Sequence, residues 1–314
     1  MSAATGAGAG TGTGTTTGAK AGTAGVTGTA GTAGVTGATG TVGVRAGASR
    51  GRVVEALRWT ALRALALAAL LAGWQLVVQL QVWPRALVPS PGEVWHQFVL
   101  ASTVHDGVRG YSGHLLGEHL AASLRRIAQG TGWAVLFGTA LGLAIGTLRP
   151  VAVVLEPAVT FLRTLPPLAY LSLLVIWFGI DESPKVWLLL IAALPPVAAA
   201  TAAAVRGVPG DLLEAARALG AGRWSLLGGV VLPAALPEIL TGVRIAVGVA
   251  YTSVVAAETI NGVPGIGGMI RDAQRYNQTA VVLAGIITIG LSGIVLDGLL
   301  KAVERLAVPW RGRA

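Results

Sequence analysis

The 314-residue chain has no cysteine, only three lysines and four histidines, and just 12% charged residues. Without cysteine there is no disulfide, no thiolate metal site and no cysteine nucleophile. A soluble domain carries roughly 25% charged residues, so about half the expected surface charge is missing. With 53% hydrophobic residues and a mean hydropathy of +0.69, the chain lacks the polar surface that keeps a protein dissolved. It reads as a membrane protein. The few lysines exclude more. A phosphate-binding P-loop needs Gly-Lys-Ser/Thr, whereas Lys20, Lys185 and Lys301 follow Ala19, Pro184 and Leu300. If ATP drives this protein, another chain hydrolyses it. All four histidines, His96, His105, His114 and His119, fall in one stretch, 85–130, outside every apolar run. No Ser/His/Asp arrangement assembles at membrane depth, so no catalytic residue is assigned. His114-Leu-Leu-Gly-Glu-His119 fits neither zinc-protease spacing, and residues five apart share a helix face poorly. That stretch reads as a solvated amphipathic segment, with no metal site.

What is present begins with a tail. Residues 1–50 are nearly all Gly, Ala and Thr and hold 15 of the 45 glycines. Such a segment cannot bury enough apolar surface to offset its ordering entropy. It also lacks the basic start and apolar core of a signal peptide, and is expected to be disordered. The transmembrane domain is expected over 51–314. A bilayer helix needs about 20 mostly apolar residues, and the runs between charges give six all-α spans, at about 62–82, 129–148, 164–180, 186–205, 239–257 and 278–298. With both termini inside, sixteen Lys/Arg fall on the inner side and seven on the outer, as the positive-inside rule requires. The net charge of +9 then marks inner loops and calls for no nucleic acid. Trp83, Trp177 and Trp187 fall at outer span ends, where an aromatic belt belongs. Gly138, Gly142 and Gly146, four apart, suit close helix packing in lipid. Asp297 has Lys301 four residues on, a favourable helical pair, and Arg244 lies near an inner span end, where snorkelling accounts for it.

The segment 206–238 on the inner side is the most informative. Asp211 followed by Glu214 resembles a capping box, and Gly220 supplies a left-handed stop. A helix over Leu212–Leu219 is predicted, then a second over 223–231, with Pro233 and Pro237 breaking the chain before it re-enters the membrane. Small Ala215 and Ala216 beside charged Glu214 and Arg217 suit insertion into a groove on another protein.

Those residues carry a resemblance. Glu214-Ala215-Ala216, three residues, Gly220, nine residues, Val230, one residue, Leu232-Pro233 is similar to the EAA motif of bacterial ABC importer permeases, with Val230 where isoleucine is commoner. Leu165-Pro-Pro-Leu-Ala-Tyr170, Val175-Ile-Trp-Phe-Gly-Ile180, Leu236-Pro-Glu-Ile-Leu-Thr-Gly-Val-Arg244 and Val281-Val-Leu-Ala-Gly285 resemble the taurine, alkanesulfonate, nitrate and bicarbonate branch. Leu165-Pro-Pro-Leu-Ala and Pro309-Trp310 are most similar to taurine permeases. The likeness covers about 60–314. It implies a type I ABC importer permease bundle in the bacterial inner membrane, with a cytoplasmic coupling helix. Glu214, Ala215, Ala216, Arg217, Gly220, Leu232 and Pro233 would contact an ABC ATPase dimer that uses ATP and Mg. An external binding protein would deliver substrate, and two copies of the permease would pair. The chain itself would hold no cofactor and be no enzyme. The cargo implied is a small organic anion, taurine or another aliphatic sulfonate, with nitrate, bicarbonate or another small solute as the alternative. Candidate pathway residues are Tyr170, Ser172, Thr252 and Ser253, with Glu258 and Asn261 at the outer mouth; each also fits a packing or loop role. A gradient-driven carrier would need ionisable groups deep in the spans, and the central portions of the runs contain none.

Overall fold

The computed structural model describes residues 45–310 apart from Asp106 and Val263. Most of the segment read as a tail, 1–44, lies outside the described residues. Contacts divide the chain into a unit ending at Ala61 and one running from Leu62 onward; the packed bundle belongs to the second. Helix α1, Arg45–Gln79, starts inside the stretch 1–50. Its apolar part, Leu57–Gln79, has 23 residues, about 34 Å at 1.5 Å per residue, enough to cross a bilayer.

Three long helices form the centre: α3 (Leu116–Thr147), α6 (Glu182–Arg206) and α9 (Leu232–Asn261). Ile127 and Ala134 of α3, Leu189, Ala193 and Val197 of α6, and Ala246, Ala250 and Val254 of α9 make one buried cluster. Lipid tails are as apolar as these side chains, so close packing must hold the helices together. The sequence supplies it with small residues at four-residue spacing. A Cβ on Gly138 would lie 2.9 Å from Val197 Cβ, one on Gly142 2.5 Å from Thr201 Cβ, and one on Gly146 2.8 Å from Val205 Cβ. The glycine stripe is therefore the α3–α6 seam.

Two stretches depart from the sequence reading. Residues 149–163, expected as an inner connection, form most of α4 (Arg149–Thr164), and α5 (Pro167–Phe178) follows at a bend of 99°. The break has a local cause. Pro166 and Pro167 carry no N–H, and Leu165 before them is extended at φ −74°, ψ 127°, as a residue preceding proline prefers. The 12 residues of α5 span only about 18 Å, short of the ~30 Å hydrocarbon core. Both halves pack on α6: Val159 clusters with Ala198 and Ala202, while Leu171 and Leu174 cluster with Leu188. Counted as one crossing, the pair is a broken helix of which the run 164–180 holds only the second half, and Glu156 and Arg163 lie within it, a correction to the expectation that the spans hold no ionisable group at depth.

The second departure is at Pro233 and Pro237, which break nothing. Helix α8 (Arg223–Leu226), a π-helical turn (Leu227–Val231) and α9 run on without interruption. In the wider turn the Leu232 N–H reaches back five residues to the Leu227 carbonyl. Pro233 then falls in the first turn of α9, where a missing N–H costs little.

With α11 (Thr279–Ala307), five helices among the described residues are long and apolar enough to cross a membrane, and the bent pair can make a sixth. One end carries α2 (Pro91–Ser102), an antiparallel hairpin of β1 (Val104–His105) and β2 (Val108–Arg109), and α10 (Ile266–Arg275). A reciprocal cap opens α2: Glu93 N–H donates to Ser90 Oγ at 3.2 Å, and Ser90 N–H to Glu93 Oε2 at 2.8 Å. The other end carries α7 (Gly210–Ala218). Trp83, Trp177 and Trp187 are all exposed near the hairpin end.

Candidate functional site

Helix α7 turns Leu213 and Ala216 partly inward and leaves its other side chains exposed. Leu213 packs against Ala204, Val205, Val208 and Val231 at the foot of α6 and α9. Glu214, Ala215 and Arg217 are exposed and Ala216 is half-buried. Asp211 is not the cap. Pro209 occupies that position and no side chain caps the helix, so Asp211 lies in the first turn, where its charge favours the helix dipole. The other end follows the glycine reading closely. Gly220 has φ +84°, its N–H donates to the Arg217 carbonyl at 2.9 Å, and the Ala221 N–H donates to the Ala216 carbonyl at 3.0 Å. This Schellman pair turns the chain directly into α8. Leu219 and Trp224, on either side of the turn, are 89% and 85% exposed. Two large apolar side chains thus lie exposed next to the charges of Glu214, Arg217 and Arg223. Leu232 and Pro233, both exposed, sit where the π-helical turn passes into α9.

At the opposite end lies a polar core that the sequence did not reveal. Arg126 of α3, with its side chain 6% exposed, donates from Nε and Nη2 to both Glu182 oxygens at 2.6 and 2.8 Å. Its Nη1 donates to Glu258 Oε1 at 2.6 Å and to the Gly262 carbonyl at 3.2 Å. Lys185 Nζ adds a bond to Glu182 Oε1 at 2.8 Å, so two cations face two carboxylates. The Glu258 carboxylate is wholly buried. It accepts from Ser123 Oγ at 2.8 Å and from the Gly267 N–H at 2.8 Å, while Ser123 Oγ accepts the Ile266 N–H at 3.0 Å. Groups on α3 and α9 thus satisfy the free N–H donors that open α10. His119 belongs to the same cap and is fully buried, a correction to its reading as part of a solvated segment. Its Nε2 donates to the Tyr111 carbonyl, which leaves Nδ1 to accept the Gly265 N–H, both at 3.1 Å. Burial, with smaller contributions from Asp272 and Tyr276, raises the Tyr111 phenol above its ordinary range. Close backbone approach needs the glycines here: a Cβ on Gly262 would lie 2.6 Å from Glu258 Cβ. That glycine-rich run, 262–268, just after Glu258, was the available signal.

The candidate pathway residues separate. Glu258 is engaged on all sides and faces α3 and α10, so in this conformation it lines no aqueous path. Ser253 is buried with its hydroxyl donating to the Val249 carbonyl at 2.7 Å, and Tyr170 is half-buried beside Leu171 and Leu188. Thr252 and Ser172 are exposed. Asn261 is the last residue of α9. Nearer the α7 end, Arg244 does more than snorkel. It donates to Asp297 at 2.9 Å and to Glu304 at 3.3 Å, and Lys301 pairs with Asp297 at 2.6 Å. These bonds tie α9 to α11. Among the described residues no group of three or more His, Cys, Asp or Glu could hold a metal ion.

Among the described residues, five apolar helices and a bent pair that can make a sixth crossing have the architecture of a multi-pass membrane protein. Residues 134–308 match the family of binding-protein-dependent transport system inner membrane components, and the chain belongs to that family. It is 42% identical over 246 residues to the taurine transport system permease protein TauC of Escherichia coli, covering 78% of this chain and 88% of that one. The putative aliphatic sulfonates transport permease protein SsuC of Bacillus subtilis is 36% identical over 251 residues, covering 78% and 85%. The bicarbonate transport system permease protein CmpB of Synechococcus elongatus is 36% identical over 185 residues, covering 59% and 66%. The inward-facing MetNI methionine ABC transporter shares the fold at a TM-score of 0.54 and 18% identity, over 61% of this chain and 95% of that one. The chain is an ABC importer permease in the branch that holds these relatives.

Proposed function

We propose that this permease imports a small organic anion, taurine or another aliphatic sulfonate, across a bacterial inner membrane. The observation that carries the reading is the 42% identity to a taurine permease over nearly the whole of that relative. The identity of 36% to a bicarbonate permease supports a second reading, the same machine carrying a small inorganic anion. In either case the α7 end faces the cytoplasm, as the excess of Lys and Arg there favours. A separate ATPase dimer, using ATP and Mg, closes on the exposed face of α7 around Glu214, Ala215 and Arg217. Leu219 and Trp224 widen the contact. The motion passes through the Gly220 turn and the π-helical turn into α9, while an external binding protein presents substrate at the hairpin end. The exposed apolar flank of α5, with Leu168, Leu173 and Ile176, suits a second copy of the chain enclosing the path. The chain itself binds no nucleotide and catalyses no reaction.

Uptake of labelled taurine by a strain lacking and then regaining this gene tests the reading. Restored uptake that unlabelled ethanesulfonate inhibits and nitrate and bicarbonate do not is the expected result. Inhibition by bicarbonate or nitrate alone would favour the second reading.

A further inference from the structure

The bent pair of α4 and α5 carries a cation at its bend. Val159 of α4 clusters with Ala198 and Ala202 of α6, and Leu171 of α5 with Leu188. With the pair counted as one crossing, Arg163 is the fifteenth of the 30 residues from Arg149 to Phe178 and stands near its middle. A charge there is far from either helix end to which it could snorkel. Arg163 is exposed in the single chain, and no hydrogen bond or ion pair joins it to any described residue. The other charged group on this helix flank is already matched: Glu156 accepts from Arg206 Nη2 at 2.9 Å. Helical spacing places Glu156, Thr160 and Arg163 along one flank of α4, apart from the buried face of Leu155, Val159 and Leu162. An unpaired cation at this depth is costly against lipid and belongs against a water-filled cavity or an anionic partner.

We propose that Arg163 is a mid-membrane binding residue that holds the anionic head of the transported solute as it passes the bend between α4 and α5. The proposal rests on the reading of this chain as an importer of small anions, and it adds the position and the chemistry of the site. A sulfonate suits it, because guanidinium donors fork onto paired oxygens.

The test uses the complete transporter in cells and follows labelled taurine. Arg163→Gln is expected to lower uptake at least about tenfold, the worth of one charge-assisted hydrogen bond, while the ATPase still co-purifies; Arg163→Lys retains most of it. Uptake at the unmutated rate by Arg163→Gln overturns the proposal. Because the chain has no cysteine, Arg163→Cys carries its only thiol. Aminoethyl methanethiosulfonate, which restores a positive charge, should recover uptake, and the sulfonatoethyl reagent should not. A thiol that reacts with neither aqueous reagent overturns the proposal by a second route. If the unmutated transporter carries nitrate or bicarbonate in place of taurine, the sulfonate reading falls. Loss of that anion's uptake in Arg163→Gln would still uphold the site. If it carries only neutral solutes, both fall.

Discussion

Replacing Arg126 with methionine removes the cation at the centre of the hairpin-end polar core and keeps most of its volume. The two carboxylates it serves are unequal. Glu258 has a fully buried side chain, whereas Glu182 is 56% exposed and keeps Lys185 as a partner. In Arg126→Met, Glu258 would still accept from Ser123 and the Gly267 N–H but would have no opposite charge. Breaking a buried pair in this way costs about 3–5 kcal/mol. Glu182→Gln leaves Arg126 bound to Glu258, and its amide oxygen can still accept from Arg126 and from Lys185, whose side chain is also 6% exposed, so its cost should be smaller than that of Arg126→Met. Arg126→Met combined with Glu258→Leu removes both buried charges, so the pair should cost clearly less than the sum of the single changes. Thermal unfolding of the purified permease, with its four variants in one detergent, reads all of these terms. Equal losses for Glu182→Gln and Arg126→Met, or strict additivity in the double variant, would refute the claim that the Arg126–Glu258 pair is the buried element of the network.

Gly142→Val drives two branched carbons into the α3–α6 seam, where Thr201 Cβ and the Ala198 carbonyl already stand 2.5 Å from the added Cβ. It should lower stability by about 1–3 kcal/mol or more, while Gly132→Ala, with nothing within 4 Å, should be neutral in the same melt. Gly220→Val forces a β-branched residue to φ +84° at a cost of about 1–2 kcal/mol; the α7–α8 turn should open to limited proteolysis while the bundle stays folded. Ala215→Arg places a long charged side chain on the exposed face of α7 without disturbing Leu213. Membrane insertion should be unchanged and co-purification of the ATPase lost, and an intact complex would move the contact elsewhere.

Five crossings could be read from the sequence because four are charge-free apolar runs and the one at 239–257 carries only Arg244 near one end, so length against bilayer thickness suffices to find them. The third could be read only in its second half. Glu156, Pro157 and Arg163 interrupt its first half, and a rule that counts gaps between charges assigns such a stretch to a loop. Backbone geometry shows that the charges lie on one flank while Leu155, Val159 and Leu162 pack inward. The proline reading failed at Pro233 and Pro237 for a related reason. Proline removes one N–H without always ending a helix: Pro233 follows the π-helical turn in the first turn of α9, and Pro237 is accommodated inside α9. Gly220 was legible because a left-handed turn is a local property of one residue. The Arg126–Glu182–Glu258 core was not, because it joins residues 56 and 132 positions apart, and Glu258 alone reads as a candidate pathway residue at the outer mouth. His119 shows the same limit: spacing excluded a zinc motif, but its burial depends on Tyr111 and Gly265, which only the fold brings near.

The central claim is that this chain is a driven permease whose motor is another polypeptide. It is tested most directly in proteoliposomes holding the permease and its co-purified ATPase, with binding protein and labelled taurine outside. Taurine accumulation that requires ATP in the cytoplasmic-side compartment and persists when ion gradients are collapsed is the predicted result. Accumulation without ATP or without the second polypeptide, or abolished by collapsing the gradients, would contradict it.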